Sequence, residues 1–120
     1  MIIKENQALH RFLTGNKEQF SEIVWSLLNQ LEKELTFKLK IQKASIQLVC
    51  NVPFAIIGFR RSLDYIFVEF YNDIMIDNPR IVSTIAKSKQ LIIHRLYVSS
   101  LDDIDIQLLT WIKSSNLLVK

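Results

Sequence analysis

At 120 residues, with 49% hydrophobic residues, two glycines and two prolines, the chain has the size and composition of one globular domain, 1–120, with little room for a disordered linker. A formal charge of +3 is too small an excess to define a nucleic-acid binder by itself. One cysteine, Cys50, rules out an internal disulfide and a thiolate metal cluster. With no apolar run near about 18 residues and no long apolar stretch in the opening MIIKENQALH, a soluble cytoplasmic protein that does not engage a membrane is expected.

Helix signals fill the first third. Ala8, Leu9, Phe12 and Leu13 predict a short helix closed by Gly15, which takes the left-handed cap conformation without steric cost. Asn16 with Gln19 three residues on predicts a capping box for the next helix. Its apolar stripe is Phe20, Ile23, Val24, Leu27, Leu28, Leu31 and Leu35, one face of a 3.6-residue period. Trp25 falls off that stripe, and with the aromatic run around Phe67 it suggests a surface for self-association or a partner.

The period changes to two at TFKLKIQ, where Phe37, Leu39 and Ile41 alternate with polar residues. ASIQLVC, PFAIIGF and DYIFVEFY follow as further strands, joined by short turns at Asn51 to Pro53 and at Arg60 to Ser62. Such short connections imply antiparallel pairing, because a parallel crossover needs about a dozen or more residues. Asn78-Pro79 reads as an N-cap and first helical residue, which predicts a short helix from Pro79 to about Lys87. LIIHRLYV is the last strand. Ser100 with Asp103 opens a final helix whose apolar face is Leu101, Ile104, Leu108, Trp111 and Ile112. Asp102, Asp103 and Asp105 fall at its start, where the helix dipole favours negative charge. The expected fold is α+β: a mostly antiparallel sheet of about five strands, with N-terminal and C-terminal helices packed on one face.

The chemistry-bearing residues are sparse. The two histidines are far apart, no His or Cys pair has metal-ligand spacing, and Cys50 has no histidine beside it in sequence. An acidic pair at Asp64 and Glu69 would open a nuclease motif, but its lysine position is Tyr71. Two glycines make no phosphate-binding loop. No catalytic residue, metal or cofactor is therefore assigned. His94 on a strand reads either as a histidine at the rim of the core or as a proton donor or anion ligand. Lys38, Lys40 and Lys43, with Arg60, Arg61, Arg80, Lys87, Lys89 and Arg95 later in the chain, read either as a solvated surface with edge-protecting lysines or as a set from which some converge on an anion.

The order of motifs carries a resemblance. Phe12 to Gly15, the Phe20 helix, Lys43 to Ile46, Phe54-Ala55, Asn78-Pro79-Arg80, His94 and Asp102-Asp103-Ile104-Asp105 resemble an uncharacterised prokaryotic domain-of-unknown-function family. Its members stand alone or at the C-terminal end of larger proteins, some labelled predicted transport proteins and others linked to DNA modification. The family pattern resembles Lys-x-x-Ile around Lys43 and Asp-Pro-Arg around Arg80, where this chain has Asn78 for the Asp. The family's last helix commonly ends in Ala-Tyr, where this chain has Ser115, Asn116 and Leu117. The resemblance implies an α+β domain without a known catalytic centre and singles out Lys43, Arg80 and His94.

The function expected from all of this is a non-enzymatic accessory or protein-interaction domain, with a protein partner or a second copy. The alternative is a module that binds a small anion, a phosphate or a nucleic-acid backbone through Lys43, Arg80 and His94.

Overall fold

The computed structural model describes residues 3–60 and 64–119. The element order is α1 (Gln7–Phe12), α2 (Ser21–Glu32), β1 (Lys38–Ile41), β2 (Ser45–Cys50), β3 (Val52–Gly58), β4 (Ile66–Asn72), β5 (Ile81–Ala86), β6 (Ile92–Val98) and α3 (Ile106–Val119). Every strand pair is antiparallel, and the sheet order is β1-β2-β3-β4-β6-β5. The fold is thus the expected α+β class, with six strands in place of about five. The turn expected at Arg61 and Ser62 lies outside the described residues.

Pairing register sets the two faces of the sheet. Ile46, Ile57, Val68 and Leu96 form one row across β2, β3, β4 and β6, and all four are fully buried. Helix α2 buries Ile23, Val24, Leu27, Leu28 and Leu31 in the same hydrophobic cluster, and α3 adds Leu108 and Ile112. The register slips between Leu48 and Val49, where both Phe54 and Ala55 of β3 are buried. The opposite face carries no helix-facing row. Lys40, Gln47, Ile56, Glu69, Arg95 and Ser83 cross it in one line through all six strands, each half-buried or exposed.

Three local expectations fail, each for a physical reason. Residues Ile81–Ala86 are a strand, not a helix. Asn78 does not cap a helix. Its side chain accepts the Arg80 N–H at 2.9 Å and its carbonyl accepts the Ile81 N–H at 3.0 Å, so Asn78 to Ile81 is a tight turn around Pro79. The β-branched Ile81, Val82, Thr84 and Ile85 then favour a strand. The Ser100–Asp103 capping box forms, but it closes only a 3-10 turn at Leu101–Asp103. Helix α3 starts later, with Asp105 accepting the Leu108 N–H at 2.9 Å. Asn16 and Gln19 form no capping box either. They lie in a 3-10 helix, Gly15–Phe20, and the Gln19 amide donates to the Asn16 carbonyl. Gly15 does take the left-handed conformation, at φ 65°.

The place of β5 dictates one more feature. It pairs with the far side of β6, so the chain leaving β4 must pass across the end of β6 to reach it. That crossing is residues 73–80.

Candidate functional site

His94 and Arg80 belong to one packed assembly. His94 points from β6 into the core and is 0% exposed. Its Nε2 accepts the backbone N–H of Ile76 at 3.0 Å, so that nitrogen carries no proton. The proton is then on Nδ1, which donates to the Ile92 carbonyl at 3.0 Å. Burial lowers the imidazole pKa below its ordinary value, and the Ile92 hydrogen bond opposes that only in part. The ring stacks on Phe70 at 5.5 Å, and Phe70 stacks on Trp111 of α3 at 5.6 Å. Beyond Trp111 the Arg80 guanidinium sits 5.9 Å from the ring centroid.

Both terminal nitrogens of the Arg80 guanidinium have partners within the chain. One guanidinium nitrogen donates to both Asp105 oxygens, at 3.0 and 3.1 Å, and to Gln107 Oε1 at 3.0 Å. The other donates to the Asp103 carbonyl at 3.0 Å. The Asp105 pKa is lowered first by the Leu108 N–H and then by Arg80. The geometry therefore ties the crossing at residues 73–80 to the sheet at His94 and to the start of α3 at Arg80. Both ring nitrogens of His94 and both terminal nitrogens of Arg80 are therefore committed to partners within the fold.

Lys43 is elsewhere. It stands exposed in the turn between β1 and β2. Two strands separate β2 from β6, so Lys43 is displaced from His94 by roughly 14 Å or more across the sheet. The three residues do not converge. Lys43 instead lines a cleft of about 240 Å³ together with Lys17 and Arg60, and no acidic side chain lines it.

Trp25 is half-buried, with its ring 4.7 Å from that of His10 in α1, so it packs within the chain. Phe67 lies on the helix-free face, across Gly58 of β3, with the Arg95 guanidinium 4.0 Å above its ring. Arg95 is in turn paired with Glu69 at 2.8 Å. Cys50 is a free, half-buried thiol, and among the described residues no group of His, Cys, Asp and Glu could hold a metal ion. No described helix is long and apolar enough to cross a membrane.

The role of Ser115 is not visible from periodicity alone. Its hydroxyl accepts the Tyr71 N–H of β4 at 2.8 Å and donates to the Phe54 carbonyl of β3 at 2.6 Å. A helix side chain thus bridges two strands just beyond their last ladder pair, Ala55 with Phe70. The available signal was that Ser115 and Asn116 extend the stripe of Leu108 and Ile112, putting two polar residues on a buried face.

Fold and site define an α+β protein with a six-stranded antiparallel sheet, helices on one face and an open second face. No family model, no curated protein and no solved structure matches the chain.

Proposed function

We propose that the protein is an accessory domain that works by association, and that it pairs with a second copy of itself through β5. The observation that carries this reading is the contrast between the two edges of the sheet. Edge β1 presents Lys38 and Lys40, both exposed, in the pattern that keeps strand edges from pairing. Edge β5 has no charged residue among Ile81–Ala86, and Val82 and Ile85 are 47% and 57% exposed. Its bulge lies at the Ile81 end, between Ile81 and Ser83, leaving Ser83–Ala86 regular.

A second copy suits this edge. Two β5 strands related by a twofold axis perpendicular to the sheet run antiparallel, and each supplies the main-chain groups the other lacks. A register centred on Ile85 sets the two exposed isoleucines directly opposite each other on the helix-free face. The engagement of His94 and Arg80 within the fold supports association over ligand chemistry at those two residues.

Sedimentation of the protein over a range of concentrations tests the reading. A dimer is expected, and Ile85→Lys is expected to be a monomer with an unchanged circular dichroism spectrum. A wild-type chain that stays monomeric throughout, or an Ile85→Lys variant that still dimerises, removes β5 as the pairing element.

A further inference from the structure

The cleft at Lys43 has a chemistry of its own, independent of the β5 edge. Three segments distant in sequence build it. Lys17 comes from the 3-10 helix after α1, Lys43 from the β1–β2 turn, and Arg60 from the residues just past β3. Three basic residues line one concavity, and like charges gathered there are tolerated only where an anion or solvent screens them. None of the three is in an ion pair among the described residues, and no Asp or Glu lines the cleft. Glu18, the nearest acid in sequence, is exposed and outside it.

Two of the cations rest on rings that flank the cleft but lie outside its lining. The Lys17 ammonium lies 4.8 Å over the Phe12 ring, and Phe12 packs edge-on against Phe59 at 5.2 Å. Phe59 and Phe20 line the cleft, with ring centroids 6.2 Å apart. The Arg60 guanidinium is 5.9 Å from the Phe67 ring. An aromatic lining excludes water from one side and so strengthens any ion contact made there.

Size and charge choose the ligand. A cleft of about 240 Å³ falls below the range of drug-sized pockets. It suits a single anionic group with a few attached atoms. Three cations favour a dianion over a monocarboxylate, and Arg60 offers the paired donors that phosphate oxygens take. We propose that this cleft binds a phosphate monoester or inorganic phosphate through Lys17, Lys43 and Arg60.

The test is titration of the full chain with inorganic phosphate and with glycerol phosphate, followed by amide chemical shifts and thermal unfolding. Both probes are expected to shift resonances of residues 16–20, 43–44 and 59–60 and to raise the unfolding temperature. Preference for glycerol phosphate identifies an ester as the ligand, and equal response identifies the free anion; both outcomes support the site. Binding of glycerol phosphate is expected to strengthen through about pH 6 as the monoester loses its second proton, and that of inorganic phosphate at somewhat higher pH. Lys43→Ala and Arg60→Ala, both at exposed positions, are expected to fold and to weaken binding by roughly tenfold each, as loss of a charge-assisted contact should. No response at millimolar phosphate overturns the proposal, as does a response unchanged in both variants. A short DNA duplex that binds more tightly than either phosphate, with a steep salt dependence, also overturns it by assigning the cleft to a polyanion. None of these outcomes bears on whether Ile85→Lys dissociates a dimer.

Discussion

His94 Nε2 accepts the backbone N–H of Ile76 at 3.0 Å, across the one point where the chain must cross β6 to start β5. A crossing backbone group that leaves water needs a partner, and an imidazole nitrogen is the acceptor supplied here. Charging the ring removes that acceptor and places a cation in the core. Burial accordingly lowers the folded pKa below the ordinary 6.5. The unfolded chain therefore binds the proton more readily. Stability is full above about 6.5 and is lost as pH falls from there to the lowered folded value, by at most about 1.4 kcal/mol per pH unit. Denaturant unfolding at a series of pH values should show that slope in the wild type. His94→Leu should lose about 1–3 kcal/mol at neutral pH for the orphaned Ile76 N–H, and its curve should be flatter through the same window. Parallel curves for the two proteins would remove His94 as the source.

Asp105 has two jobs that substitution can separate. It caps α3 through the Leu108 N–H and it pairs with Arg80. Asparagine keeps the cap and loses the charge, so Asp105→Asn should cost less than Asp105→Ala by about 1 kcal/mol. The ion pair itself is worth less than its geometry suggests, because the Asp105 side chain is 47% exposed. A double-mutant cycle with Arg80→Ala should return a coupling of about 1 kcal/mol or less that shrinks with salt. The lowered Asp105 pKa gives stability that is present above the ordinary carboxylate range and is lost as pH falls through the lowered value. Equal cost for the Asn and Ala variants would mean the cap contributes nothing.

The long α2 stripe and the alternating strands were legible because each buries one continuous face, from Ile23 to Leu31 and at Ile46 and Leu48. Strand β5 was not. Asn-Pro begins a helix and a tight turn with the same two residues, and only the β-branched run after it distinguishes them. The start of α3 moved to Asp105 because the Ser100–Asp103 capping box closes a turn of its own and Asp105, two residues on, caps the next. His94 on the core face of its strand was readable from alternation. That its second ring nitrogen meets Ile76 depends on strand order, which sequence does not encode locally. Grouping Lys43 with Arg80 and His94 failed on the same ground, since β3 and β4 stand between β2 and β6.

Ser115 replaces a rung of the sheet ladder with its hydroxyl. Ser115→Ala leaves the Tyr71 N–H and the Phe54 carbonyl without that bridge, and should cost about 2–3 kcal/mol. Amide exchange gives a sharper reading than global stability. The Tyr71 amide should lose protection by more than the global destabilisation accounts for, whereas amides of the β2–β3 pairing should follow the global change alone. Protection at Tyr71 that is unchanged in Ser115→Ala would show the strands pairing without the helix.

Gly58 is required by close approach. A Cβ built on it would clash with the tip of the Phe67 ring, which reaches across from β4. The ring has little freedom to move off. Arg95 stacks over it at 4.0 Å and is itself held by Glu69 at 2.8 Å, so displacing Phe67 disturbs an ion pair as well as a cross-strand contact. Gly58→Ala should therefore cost about 1–3 kcal/mol as an overpacked site. Phe67→Ala alone loses the ring's half-buried area and its contact with Arg95. The two substitutions should not add. Once the ring is gone, the alanine Cβ meets open space, and the double variant should be close to Phe67→Ala alone. Denaturant unfolding of the four proteins measures this directly. Additive losses would place the penalty at Gly58 in the backbone and not in the ring above it.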